Sequence, residues 1–301
     1  MSDIVVIRTV KELREWKRQI AGGSVGFIPT MGALHQGHLS LVSESLRRND
    51  RTVVSIFVNP SQFAPGEDLD SYPRTFDQDY SILSSVEIEG RKVDVIFAPT
   101  VTEMYPSGID LDTTKQKGAF VSVLGVSEQL EGKTRPNFFR GVATVVTKLF
   151  NAVQPDFAYF GQKDIQQTIV LKRMVKDLLL PVEIVVMPII REDTGLALSS
   201  RNTYLSQDTR SKSSMIYKAL QAGVHYYNDK KAPVERGEII RQVTDGLKDP
   251  LFKIDYVSVA DKEELQELDV VVPGKGAVIS TAVYVTENGL TVRLIDNVML
   301  N

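Results

Sequence analysis

Two of the chain's three histidines, His35 and His38, stand three residues apart in Pro29-Thr30-Met31-Gly32-Ala33-Leu34-His35-Gln36-Gly37-His38. The segment follows a short apolar run and precedes a helical pattern, so it is expected at a strand-to-helix turn. In a parallel sheet, ligands bind at the carboxyl ends of the strands. A helix start offers N–H groups without intrahelical partners and a partial positive charge, both suited to phosphate. Residues i and i+3 share a helix face, so both imidazoles are expected to reach one anion. Gly32 and Gly37 would let a nucleotide approach the backbone. An isolated HxxH is more often a pair of surface or capping histidines, but the first-loop position and the glycines favour phosphate binding here. Zinc is disfavoured: no cysteine is present, and His225, the third histidine, lies far along the chain in what reads as a solvated helix.

Three more segments carry chemistry. Asn59-Pro60-Ser61-Gln62-Phe63 follows the second predicted strand and is expected to emerge beside the first loop; alone it would be a plain Asn-Pro turn. Gly161-Gln162-Lys163-Asp164-Ile165-Gln166-Gln167 lies at another strand-to-helix turn. There Gly161 permits close approach, Lys163 can meet a phosphate, and Asp164 can accept from a ribose, hold a cation indirectly or simply cap the helix. Gln167 falls one turn on, on the face of Asp164. Leu198-Ser199-Ser200-Arg201-Asn202 offers two hydroxyls and a guanidinium suited to a triphosphate leaving group, though such a run is usually a solvated loop.

These segments need elements to position them. Residues 24–29 and 52–58 read as strands around a helix at 36–48, where Leu39, Val42 and Leu46 share one face and Glu44 and Arg48 form an i, i+4 pair on another. Helices are expected at 70–84 and 162–178, and strands at 93–98, 157–160 and 182–190. Val142, Val145, Val146, Leu149, Phe150 and Val153 mark a strongly amphipathic helix. Strand–helix alternation implies a parallel sheet covered on both faces. After Ile190 the pattern changes to helices at 207–228 and 234–247, then strands at 255–260, 276–286 and 290–296, with Asn288-Gly289 as a type I′ turn between the last two. The expected fold is α/β, with a parallel-sheet domain over residues 1–189 and a smaller α+β domain over 190–301.

Composition narrows the function classes. The chain has 301 residues, 43% apolar and 24% charged, with a formal charge of −3. That balance gives no general attraction to nucleic acid or anionic lipid, so an anionic ligand must be held by local groups. The absence of cysteine excludes disulfides, thiolate nucleophiles and a protein thioester as a means of activating an acid. The apolar run at 4–7 is too short for a signal-peptide core or a membrane span, which makes the cytosol the expected location.

Taken together, PTMGALHQGH (29–38), SIFVNPSQF (55–63), YPRTFDQD (72–79), FFRGVATVVTKLFN (138–151), YFGQKDIQQ (159–167) and ALSSRN (197–202) resemble the pantothenate synthetase, or pantoate–β-alanine ligase, family over nearly the whole chain. The HxGH element alone is less specific, being shared with class I aminoacyl-tRNA synthetases and other nucleotidyltransferases. The resemblance implies a Rossmann-like N-terminal domain, a smaller C-terminal domain that covers the site, and a homodimer. It implies that pantoate attacks the α-phosphate of ATP-Mg to give pantoyl-adenylate, and that β-alanine then displaces AMP. ATP contacts map onto Met31, Gly32, Ala33, Leu34, His35, Gln36, Gly37, His38, Gly161, Gln162, Lys163, Asp164, Ile190, Leu198, Ser199, Ser200 and Arg201. Of these, His35, His38, Lys163 and Arg201 are the candidate catalytic groups. The family designates the residue at His38 as proton donor, whereas the chemistry of adenylyl transfer suits a phosphate stabiliser. Gln62 and Gln167 map onto pantoate contacts, and Gln62 also onto the β-alanine site. The resemblance identifies no direct metal ligand; Asp79 is a candidate for holding magnesium through water. Phe138 departs from the pattern, since many bacterial relatives have histidine there, and residues 85–92 look like a small insertion.

Two other classes compete. A nucleotidyltransferase acting on a phosphate ester would share the HxGH loop but have no need of the Asn59–Phe63 and Gly161–Gln167 segments together. A non-catalytic nucleotide-binding module would tolerate loss of His38, Lys163 or Arg201, yet all three are present.

Overall fold

The β-branched and apolar runs of the first unit form a sheet whose central strands are largely buried on both faces, as parallel strands covered by helices must be, while Val5 and Val6 on an edge strand stay exposed. The computed structural model describes residues 4–20, 22–67 and 69–301. It divides into two units: the described residues up to Gly161 together with Val170–Met187, and Gln162–Ile169 together with Pro188–Asn301.

In the first unit, chain order is β1 (Val5–Ile7), α1 (Val10–Gln19), β2 (Val25–Thr30), α2 (Gln36–Arg48), β3 (Arg51–Ile56), α3 (Phe76–Ser85) and β4 (Val95–Phe97). The one-turn helices α4 (Val101–Met104) and α5 (Glu131–Thr134) precede α6 (Phe138–Val153), β5 (Phe157–Gly161), α7 (Ile165–Asp177) and β6 (Glu183–Met187). All six strands run parallel, in the order β1-β4-β3-β2-β5-β6. The chain steps from β2 outward to β3 and later returns to β5 on the other side of β2, so the strand order reverses at β2. The ladder from β2 to β3 continues to Thr30↔Ile56, whereas that from β2 to β5 stops at Phe27↔Ala158. Pro29, two residues on, has no N–H to extend it. The carboxyl ends of β2 and β5 therefore part at the switch point, where open α/β sheets take their ligands.

The six apolar positions read for α6 are all buried. The expected helix at 70–84 starts only at Phe76, and the charged pair on α2 is Glu44 with Arg47 at 3.7 Å rather than with Arg48. Arg48 instead lies over the Phe157 ring, its guanidinium carbon 5.3 Å from the centroid, within reach of a cation–π contact. The apparent insertion at 85–92 is a small hairpin. Glu89 (φ 53°) and Gly90 (φ 77°) make its turn, and Arg91 donates to the Asn49 carbonyl at the end of α2 (2.8 Å).

In the second unit, α8 (Gln207–Lys212), α9 (Met215–Lys230) and α10 (Arg236–Asp245) accompany an antiparallel sheet of β8 (Phe252–Ala260), β10 (Ala277–Glu287) and β11 (Leu290–Leu300), in the order β11-β10-β8. A small pair, β7 (Val234–Glu235) with β9 (Val270–Val271), completes it. The helix expected over 207–228 is broken at Ser213-Ser214 into α8 and α9. Asn288 and Gly289 both have positive φ (50° and 82°), as the type I′ turn requires. Leu220, Ile239, Val243, Ile279, Val283 and Val285 form the centre of this unit's core.

Candidate active site

Beyond β2, the chain turns through Gly32 (φ 84°) and Ala33 (φ 52°) into the start of α2. Two consecutive left-handed residues, one of them alanine, need support. Asp79 of α3 supplies it: Oδ2 accepts from the Ala33 N–H (3.0 Å) and the Thr75 hydroxyl (3.1 Å), and Oδ1 accepts from the Leu34 N–H (2.8 Å). Asp79 is 1% exposed. Both its oxygens and both amides are thus engaged within the loop, and the carboxylate proposed as a magnesium holder acts here as a clamp.

The histidines meet through a cap rather than along a helix face. His35 is the N-cap of α2, in extended conformation, and its Nδ1 accepts from the Gly37 N–H at 3.1 Å. His38 Nδ1 accepts from the His35 N–H at 3.3 Å, closing a reciprocal capping box. The ring centroids are 4.1 Å apart. A backbone N–H can only donate, so each Nδ1 is an acceptor and each neutral ring carries its proton on Nε2. The capping and phosphate-binding roles are therefore compatible, because the cap fixes the tautomer that leaves Nε2–H as the donor. Gly37 serves the cap directly: a Cβ there would lie 2.8 Å from His35 Cε1.

The turn after β3 stands beside this loop. Gln62 Nε2 reaches Met31 Sδ at 3.1 Å, while Gln62 Oε1 accepts from Asn59 Nδ2 at 3.0 Å. Asn59 is itself oriented, since its Oδ1 accepts from the Tyr105 hydroxyl at 2.6 Å. Burial pushes the Tyr105 phenol up to about 12, partly offset by its bonds to Ser61 and Asn59, so it stays a donor across the physiological range. The relay Tyr105→Asn59→Gln62 leaves the Gln62 NH₂ pointing at a thioether, a weak acceptor that a carboxylate or hydroxyl can replace at small cost. Helix α6 comes up against the same turn at Gly141, where a Cβ would lie 2.2 Å from the Ser61 carbonyl oxygen. Phe138, the departure from the family pattern, lies under Arg135 (guanidinium carbon 4.1 Å from the ring centroid), and Arg135 bonds the Gln62 carbonyl (3.2 Å) and Glu67 (2.6 Å). Neither Tyr105 nor the clamping role of Asp79 carried a sequence signal.

At the end of β5, a Cβ on Gly161 would meet no atom within 4 Å, so the chain's own packing does not require glycine there. The remaining candidates belong to the second unit. Lys163 and Asp164 stand in a 3-10 turn before α7, with Nζ and Oδ1 4.0 Å apart, and the Gln162 side chain donates to Asn297 Oδ1 at 3.1 Å. Gln167 is half-buried in the first turn of α7. Ile190 and Leu198 are brought together, the Leu198 N–H donating to the Ile190 carbonyl at 3.0 Å. Ser199 caps a 3-10 turn over Ser200–Tyr204 by accepting from the Arg201 N–H at 3.3 Å. His225 is exposed on α9, in this unit and not with the other histidines.

The sequence model of the family described as Pantoate-beta-alanine ligase matches residues 5–299. The chain belongs to this family. It is 52% identical over 313 aligned residues to the pantoate–beta-alanine ligase of Saccharomyces cerevisiae, covering 98% of this chain and 99% of that protein. It is 48% identical to the pantothenate synthetase of Roseiflexus castenholzii, with the same coverage. Among solved structures, the pantothenate synthetase of Thermus thermophilus superposes with a TM-score of 0.84 at 42% identity, over 98% of this chain and 99% of that one. The pantoate-beta-alanine ligase of Francisella tularensis, crystallised with beta-gamma ATP and beta-alanine, gives 0.75 at 32% identity, over 98% and 97%. Family membership makes the chain an enzyme of the ligase class, and the expected α/β architecture with a smaller, partly antiparallel second part is the one observed. Among the described residues no helix is long and apolar enough to cross a membrane.

Proposed function

We propose that this enzyme joins pantoate to β-alanine at the expense of ATP, through a pantoyl-adenylate. A pantoate carboxylate oxygen attacks the α-phosphorus, and the bond from that phosphorus to the bridging oxygen of the β-phosphate breaks, releasing pyrophosphate. The β-alanine nitrogen then attacks the acyl carbon and loses a proton, while the acyl–oxygen bond breaks to release AMP. The observation that carries this reading is the reciprocal histidine cap at the start of α2, two Nε2–H donors at the carboxyl end of β2, with an oriented Gln62 amide beside them. Neutral donors aimed at a phosphate stabilise charge as it develops, and a cationic ring protonated on Nδ1 would lose its cap. Amides suit pantoate because they orient a nucleophilic carboxylate without neutralising it.

In this reading His35, His38, Lys163 and Arg201 stabilise the phosphates, and Gln62 and Gln167 hold pantoate. Ile190 and Leu198 take the nucleotide together with the remaining residues of 31–38, 161–164 and 199–200. Among the described residues no three His, Asp or Glu side chains form a metal site, so magnesium is taken to arrive with ATP as part of the substrate. A homodimer in the cytosol completes the proposal, and sedimentation of the purified protein tests its assembly. The reaction is tested by isotope exchange. Labelled pyrophosphate should enter ATP when pantoate is present and β-alanine absent, and β-alanine alone should support none. Release of ADP and orthophosphate, or exchange indifferent to pantoate, would overturn the proposal.

A further inference from the structure

The turn that carries Lys163 is held from one side by a residue near the chain's end. Asn297 is 1% exposed and lies on β11, opposite Ser280 of β10. Its Nδ2 donates to the Gln162 carbonyl at 2.9 Å and to the Lys163 carbonyl at 3.0 Å. Its Oδ1 accepts from Gln162 Nε2 at 3.1 Å, which fixes which end of the amide faces the turn. Those two carbonyls belong to the peptide planes on either side of the Lys163 Cα. Fixing both planes fixes φ and ψ of Lys163, and with them the direction in which its side chain leaves the backbone.

The root of this contact is stiff. The adjacent Asp296 takes Arg191 in a bidentate pair, at 2.6 and 2.8 Å, and also accepts from the Asn297 N–H at 2.7 Å. The Arg191 guanidinium carbon lies 3.7 Å from the centroid of the Tyr217 ring. All of these residues belong to the second unit, to which Gln162–Ile169 also belongs.

We infer that Asn297 is a positioning residue for the phosphate-binding turn: its side-chain amide aims Lys163 by clamping the carbonyls of residues 162 and 163. The inference rests on the functional reading in which Lys163 meets the phosphates of ATP. A lysine stem carries much rotational freedom, so a fixed origin is what keeps the ammonium within reach of its anion.

Asn297→Asp tests it, since it keeps the shape and the Oδ1 acceptor but turns an oxygen toward two carbonyls. The variant should lower the catalytic efficiency of pantoate-dependent pyrophosphate exchange toward ATP by about 10- to 100-fold. Aminolysis of supplied pantoyl-adenylate by β-alanine should change less than threefold. In a Lys163→Ala background the same substitution should cost less than threefold, because the group it aims is gone. Amide hydrogen exchange should accelerate across residues 162–167. Asn297→Ser, which removes the clamp without turning a charged oxygen toward the two carbonyls, should give a loss of the same pattern, and a melting curve on each variant separates a folding defect from a misdirected lysine. Full additivity with Lys163→Ala, equal losses in both half-reactions, or unchanged exchange kinetics would overturn the inference. Wild-type protein without pantoate-dependent exchange would overturn the functional reading and with it the role given to this turn.

Discussion

Replacing Asp79 by asparagine exchanges one oxygen for an NH₂ and removes one charge, in a side chain that is 1% exposed. In the native loop the carboxylate accepts from the amides of Ala33 and Leu34, at 3.0 and 2.8 Å. Asparagine has one acceptor oxygen. If its NH₂ faces Leu34, two donors confront each other; if it faces Ala33, the Thr75 hydroxyl can turn to accept, but the Ala33 N–H cannot. Either way one backbone donor loses its partner, at a cost of about 1–3 kcal/mol, and the surviving bond loses its charge assistance, about 1 kcal/mol more. Ala33, at φ 52°, gains most from being held, so the loop should yield before the core does. A penalty of roughly 2–4 kcal/mol expressed in the loop corresponds to about a 30- to 1000-fold slower first half-reaction. The assay is pantoate-dependent pyrophosphate exchange at saturating ATP, alongside thermal unfolding. Raising magnesium separates a clamp from a metal holder: a lost metal contact would be partly restored by excess magnesium, and a lost clamp would not. Exchange within threefold of wild type in a folded Asp79→Asn variant, or recovery in high magnesium, would refute the reasoning.

His38→Ala should keep the fold and slow adenylate formation by about 10²- to 10³-fold, because it removes both a phosphate donor and the acceptor for the His35 N–H; single-turnover kinetics with a melting curve checks this. Gln62→Ala and Gln167→Ala should each weaken pantoate use much more than ATP binding, and calorimetry showing intact pantoate affinity in both would contradict their assignment. Tyr105→Phe should raise the KM for pantoate several-fold without comparable change for ATP, because Asn59 loses the donor that orients it. The same residue predicts a pH effect. Its folded pKa of about 12 exceeds the usual phenol value near 10, so its contribution is complete below about pH 10 and is lost as the pH rises toward 12. Denaturant melts across that window should flatten in the Tyr105→Phe variant.

Much of the sheet was legible because parallel strands are short apolar runs and α6 displays its apolar stripe without interruption. The shift to an antiparallel hairpin at Asn288-Gly289 was equally visible, since two positive φ values leave few residue choices. Edges were less legible. Strand β1 is only three residues long and α1 is defined by a capping box between Thr9 and Glu12, a local device that apolar periodicity does not register. The helix α3 starts six residues later than expected, because Pro73 interrupts the run and residues 72–75 form no helix. In the site, the histidine pair was found from spacing, yet its geometry was not: His35 stands outside the helix as its N-cap. Tyr105, Asp79 and Asn297 act on loops distant in sequence, and only folding brings each to its partner.

Pro29 makes the parting of β2 and β5 a matter of covalent structure. Strand pairs elsewhere in this sheet could in principle zip further by a small rotation of the backbone, but a missing N–H cannot be recovered by any motion. The opening at the sheet's reversal point therefore lacks one of the bonds that would close it, and less binding energy is diverted to breaking a ladder. The same residue disfavours error during folding, since a β5 strand that slid past its register would find no N–H donor at Pro29 to extend the ladder beyond Phe27. A Pro29→Val substitution, conservative in size, would restore that missing donor and give the sheet a competing closed state.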